Sequence, residues 1–168
     1  MDGIHNYKLI RYNTTNYGEI LLELVAFVTR EWGDIDEGPF HLSGFSGGAQ
    51  FAHRFWYLHP EQVASLAIAA PGACTLLDRT LPWPRGVKDE HVDIDRLEQT
   101  SVTVVVGDRD VGDGQSRIQV AHSLQRSMHD SGLHVGEVVM VKGAGHEESD
   151  LQVTLEQWFQ KSMGLGDV

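Results

Sequence analysis

Apolar residues in this chain recur with two different periods, and the switches between them lay out its elements. Ile20, Leu21, Leu24, Val28 and Trp32 follow one another at helical spacing. Asn16, with Glu19 three residues on, offers that helix an N-cap, and Gly33 offers it a stop. Residues 34–39 form a polar turn, and 40–45 read as a strand. Phe51, Ala52, Phe55 and Leu58 share one face of a second helix over 47–58. It should end at His59, because the residue before a proline avoids the helical region. Residues 63–70 are an apolar run between Pro60 and Pro71-Gly72, too short for a lone helix and so a buried strand. Residues 101–106 are β-branched on both faces, as in a strand covered on both sides. A helix over 113–131 carries Ile118, Ala121, Leu124 and Met128 in register, and 137–141 are the next strand. Ser149 and Gln152 read as a second capping box ahead of Leu151, Leu155, Trp158 and Phe159. Residues 1–15 are poorly patterned; 7–12 could form a short strand.

Strands alternating with helices specify a parallel sheet flanked by helices. The expected fold is therefore α/β: a three-layer sandwich on a mainly parallel sheet of about four strands. One domain spans 1–168, with a cap-like excursion over 73–100 that holds Trp83 between two prolines and a charged run over 88–98. A hydrophobic content of 41% and a charged content of 22% are those of an ordinary globular chain. The formal net charge of −11 argues against nucleic acid and against an anionic membrane surface, since both attract Lys and Arg clusters. The single cysteine, Cys74, excludes an internal disulfide framework and suits a reducing compartment. Residues 1–12 lack an apolar run of signal-peptide length, and no stretch reaches the roughly 18 apolar residues of a membrane span. A cytoplasmic location is the default expectation.

Candidate chemistry is concentrated where strands end. Gly44-x-Ser46-x-Gly48 is the pattern of a nucleophile on a tight strand-to-helix turn. Such a turn brings the backbone before Ser46 against the backbone after it, so a Cβ at either glycine should clash. Ser46 is pushed towards a strained conformation that lifts its hydroxyl clear of the sheet. The N–H of Gly47, at the start of the following helix, points beside that hydroxyl. Gly107-Asp108-Arg109-Asp110 follows the strand at 101–106, and Gly143-Ala144-Gly145-His146 follows the strand at 137–141. Parallel strands share one C-terminal edge, where ligands bind. Serine, aspartate and histidine thus meet at one edge, in the chain order that accompanies this elbow.

These motifs resemble the C-terminal part of an α/β-hydrolase, with Gly44-Phe45-Ser46-Gly47-Gly48 similar to the elbow of serine esterases and prolyl-oligopeptidase-like enzymes. The resemblance covers about 16–161. It implies a Ser46 nucleophile, a His146 general base and acid, and an orienting Asp110, with hydrolysis of a small carboxylic ester through an acyl-enzyme. Asp108 competes as the acid: it lies nearer the strand end, whereas the family places the acid three residues after the glycine. Gly47 would give one oxyanion donor. Phe45 and Trp83 are candidates for lining a substrate pocket, and Trp83 could equally anchor its loop. No cofactor is implied, and no metal. An apparent calcium loop at Asp108, Asp110 and Asp113 has Gln119 where its bidentate carboxylate belongs.

Two departures from the family follow. Only 39 residues precede Phe40, and neither 2–6 nor any other stretch there offers the glycine-rich loop that supplies a second oxyanion donor. The apolar strand 40–45 also lacks an upstream neighbour, an exposed edge that invites self-association. The chain then reads as a truncated hydrolase, a fragment, or a protein whose own copies cover the edge. The contrasting expectation is a domain that has lost catalysis and serves as a binding module, with Ser46 in a purely structural turn. The aromatic cluster Phe51, Phe55, Trp56 and Tyr57 reads as packing, His41, His53 and His59 as structural, and Cys74 as a small buried residue.

Overall fold

The computed structural model describes residues 3–36, 38–111 and 116–165. Its frame is a four-stranded parallel sheet in the order β3 (Phe40–Phe45), β4 (Val63–Ala69), β5 (Ser101–Gly107), β6 (Val139–Val141). Ahead of it, β1 (Arg11–Tyr12) and β2 (Thr15–Asn16) make a small antiparallel pair. The helices are α1 (Tyr17–Trp32), α2 (Gly47–Leu58), α3 (Ile94–Leu97), α4 (Arg117–Asp130) and α5 (Glu148–Ser162). The strand order equals the chain order, so right-handed crossovers put α2 and α4 on one face. Alternation along β3 shows both faces in use: Phe40 meets Phe55 of α2, and His41 meets Phe159 of α5. No helix among the described residues is long and apolar enough to cross a membrane.

The core lies where the sequence pattern is most apolar. Leu66, Ala67, Ile68 and Ala69 of β4 and Val104, Val105 and Val106 of β5 are buried on both faces, and Phe55, Trp56 and Tyr57 pack over them from α2. Residues 73–100 pack inward through Val87, Val92 and Leu97. Polar ties join them to α2: Arg54 Nε donates to Thr75 Oγ1 at 2.7 Å, and Trp56 Nε1 donates to Thr100 Oγ1 at 3.0 Å.

Three local expectations are corrected. Residues 7–9 belong to a 3₁₀ turn (Gly3–Leu9), not a strand, and only Arg11–Tyr12 pairs as β1. No second capping box forms, because α5 starts at Glu148 and Ser149 already lies inside it. The carboxylate of Asp150 turns back instead, to accept the N–H of Gly145 at 3.1 Å. In α1 both ends are as expected, with the Asn16 side chain accepting from Gly18 and Glu19 and Gly33 at φ 70°. Its apolar stripe, however, stays largely outside. Ile20, Leu24 and Trp32 are 50%, 56% and 72% exposed, and the buried residues of the helix are Gly18 and Thr29. The start of the helix expected at 113–131 lies outside the described residues; its described part runs from Arg117.

Candidate active site

The elbow is built by one glycine contact. A Cβ at Gly44 would strike the backbone of Gly48 and Ala49, so the strand can turn into α2 only without one. The clash is one-sided, since a Cβ at Gly48 would meet nothing within 4 Å. Between them Ser46 sits at φ 51°, ψ −105°, a conformation costly for a residue with a side chain. Its N–H is held by Ala69 O at 2.9 Å. Gly47 opens α2, so its own N–H has no acceptor within the helix.

The histidine loop is fastened to β5 just as closely. A Cβ at Gly107 would strike the carbonyls of Ala144 and Gly145, so this glycine lets residues 143–146 lie against the strand end. Asp108 N–H donates to Val141 O at 3.0 Å, and Arg109 N–H to Ala144 O at 2.9 Å. Asp108 and Asp110 divide the work. Asp108 Oδ1 accepts from Gly143 N–H at 2.8 Å, bracing the loop while remaining exposed. Asp110, 2% exposed, sets its Oδ2 2.6 Å from His146 Nδ1. On the far side of that ring, Nε2 lies 3.0 Å from Ser46 Oγ.

Ser46, His146 and Asp110, separated by up to 100 positions, thus form one line of hydrogen bonds at the C-terminal edge of the sheet. With Nδ1–H donating to the carboxylate, Nε2 is left as an acceptor for the serine hydroxyl. The Phe45 ring lies against the His146 ring at a 32° tilt, centroids 4.8 Å apart. Trp83 donates its indole N–H to Leu9 O at 2.9 Å, joining the 73–100 excursion to the N-terminal segment. Among the described residues no cluster of ligating side chains could hold a metal ion.

The other singled-out residues have separate surroundings. His41 Nδ1 lies 2.6 Å from Ser65 Oγ, and His59 packs at a tilt against Phe55. His53, fully buried, donates from Nδ1 to Ala49 O and accepts at Nε2 from Thr75 N–H. Burial first, and the Arg54 charge second, push its pKa down to about 3. Arg54 is itself lowered to about 10 by burial, and burial raises the Cys74 thiol.

Two neighbours of the elbow carried no signal in the sequence. A Cβ added to Gly47 would lie 2.6 Å from Lys8 Cε, 2.7 Å from Tyr7 Oη and 3.3 Å from Lys8 Nζ. Long-range ties put them there: Arg54 Nη1 donates to Lys8 O at 2.5 Å, and the Tyr7 ring lies 6.2 Å from that of Phe51.

No protein-family model and no curated protein matches the chain. Solved structures do. Poly(aspartic acid) hydrolase-1 from Sphingomonas sp. KT-1 is similar with a TM-score of 0.72 and 17% identity, over 93% of this chain and 66% of that one. A poly(3-hydroxybutyrate) depolymerase from Bordetella parapertussis gives 0.70 and 22%, over 95% and 64%. A ferulic acid esterase gives 0.62 and 13%, over 90% and 61%. The fold is therefore α/β-hydrolase-like, and the chain spans less than two thirds of the length of these neighbours.

Proposed function

We propose that this chain is a serine hydrolase that cleaves carboxylic esters through Ser46, His146 and Asp110. The observation that carries this reading is the unbroken line from Ser46 Oγ through His146 to buried Asp110. Its upkeep includes a strained serine, which a merely structural turn does not require.

In the proposed reaction Ser46 Oγ bonds to the ester carbonyl carbon while its proton passes to His146 Nε2. Asp110 holds the ring in the required tautomer and stabilises the imidazolium. The carbonyl π electrons move onto oxygen, beside the Gly47 N–H. Collapse breaks the bond to the alcohol, which leaves with the proton from His146. Water, deprotonated by His146, then splits the acyl-enzyme and restores Ser46. The half-exposed imidazole leaves room for ester and water on its open side. Peptides and thioesters would follow the same steps and are less favoured substrates.

The contrasting reading, a binding module that has lost catalysis, draws on the shorter span relative to its structural neighbours. Hydrolysis of p-nitrophenyl acetate separates the two. The proposal expects turnover with an initial burst of up to one equivalent of nitrophenol, abolished in Ser46→Ala. Equal rates for folded wild type and Ser46→Ala would overturn it.

A further inference from the structure

The elbow offers the Gly47 N–H to a developing oxyanion, and acyl transfer works best with a second donor beside it. The place a Cβ would occupy at residue 47 is filled by polar side chains, Tyr7 Oη and the ammonium end of Lys8. They are held by more than their own contacts. Lys8 O accepts from buried Arg54, Leu9 O accepts from Trp83, and Ile10 is fully buried. Ion pairs among the described residues engage Arg11, Arg30, His129, His134 and His146, not Lys8. An ammonium at the first residue of a twelve-residue helix also faces the positive end of the helix dipole. An oxyanion on the carbon bonded to Ser46 would develop beside the Gly47 N–H, so a donor and a positive charge next to residue 47 would favour the transition state over the neutral ester.

We propose that Tyr7 and Lys8 complete the oxyanion site, the Tyr7 hydroxyl as second hydrogen-bond donor and the Lys8 ammonium as the adjacent positive charge. This rests on the serine hydrolase reading above. It also explains the glycine at 47: a side chain there would push both groups away while leaving the backbone N–H in place.

The test uses a methyl trifluoromethyl ketone. Ser46 Oγ adds to its carbonyl carbon, the π electrons move onto oxygen, and the proton goes to His146, giving a stable oxyanion. Tyr7→Phe, Lys8→Met, the double variant and Gly47→Ala are compared with wild type for ketone affinity, kcat and KM on a neutral ester, and melting temperature. Each single change should weaken ketone binding and lower kcat in parallel by about 10-fold or more, and the double variant by about 10² to 10³. KM and melting temperature should hardly move. A double variant matching a reactive wild type would overturn the inference and leave the hydrolase reading standing. So would a loss confined to KM for esters bearing a carboxylate, which would make Lys8 a substrate-binding residue. A wild type that forms no adduct and cleaves no ester would overturn both.

Discussion

At the β5–β6 side of the sheet the loops are fixed from several directions; at the β3–α1 side apolar surface faces outward. Residues 143–146 are pinned by Asp108, Arg109 and Asp150 through three hydrogen bonds, and Gly107 lets them lie against the strand. Across the sheet, among the described residues, β3 pairs with β4 alone, as β6 pairs with β5 alone, and α1 exposes Ile20, Leu24, Phe27 and Trp32. Both regions leave apolar side chains exposed, Val139 and Met140 of β6 among them, yet the first ties its loops to the strand ends by hydrogen bonds. The contrast teaches that a helical stripe identifies an amphipathic helix without saying what, if anything, covers it.

The largest effect should come from within the braced region, by separating its two aspartates. Asp110→Asn removes the acceptor that fixes the His146 tautomer and should lower kcat by about 10⁴. Asp108→Asn disturbs only a loop brace, so a loss within about tenfold is expected. Equal losses in steady-state ester hydrolysis would erase the distinction between them. Next is packing: Phe55→Ala should cost about 3–5 kcal/mol in denaturant unfolding. A cost below about 1 kcal/mol would mean that the core under α2 collapses easily.

Acid provides a third handle. Folded His53 takes a proton only near pH 3, whereas an unfolded histidine takes one near 6.5. Between those values the unfolded state binds more protons, so stability falls as pH is lowered. The loss from this residue should reach about 2 kcal/mol by pH 5, and His53→Gln should flatten the slope of unfolding free energy between pH 7 and 5. An unchanged slope would show that His53 is not held neutral by burial. The smallest effect belongs to the open side, where Leu24→Ser should change stability by no more than about 0.5 kcal/mol. A loss of 2 kcal/mol would show that the outer face of α1 is covered in solution. Light scattering at micromolar concentration reads the same surface, with dimers or larger species as the expectation for an open β3.

What was legible follows the same division. The elbow and the histidine loop could be read because each depends on a glycine whose missing Cβ permits a local close approach, and such constraints leave a motif. The buried runs in β4 and β5 announced themselves by continuous apolar character. Choosing Asp110 over Asp108 was harder, since both leave the same strand end and only the direction of each carboxylate separates them. Tyr7 and Lys8 were not legible. Their place depends on Arg54, 46 positions from Lys8, and on Trp83, 74 positions from Leu9. Neither tie has a sequence signature. The exposure of the α1 stripe was not legible, because periodicity identifies an apolar face without saying what covers it.

The proposed chemistry requires an activated Ser46, and covalent labelling reports on that activation. An alkyl fluorophosphonate bonds to a serine oxygen, with loss of fluoride, when a base takes the proton and donors receive the developing charge. The folded protein should gain one adduct, mapped by mass spectrometry to the peptide containing Ser46, and His146→Ala should nearly abolish it. No adduct on well-folded protein after long exposure, or one placed on another residue, would contradict the account.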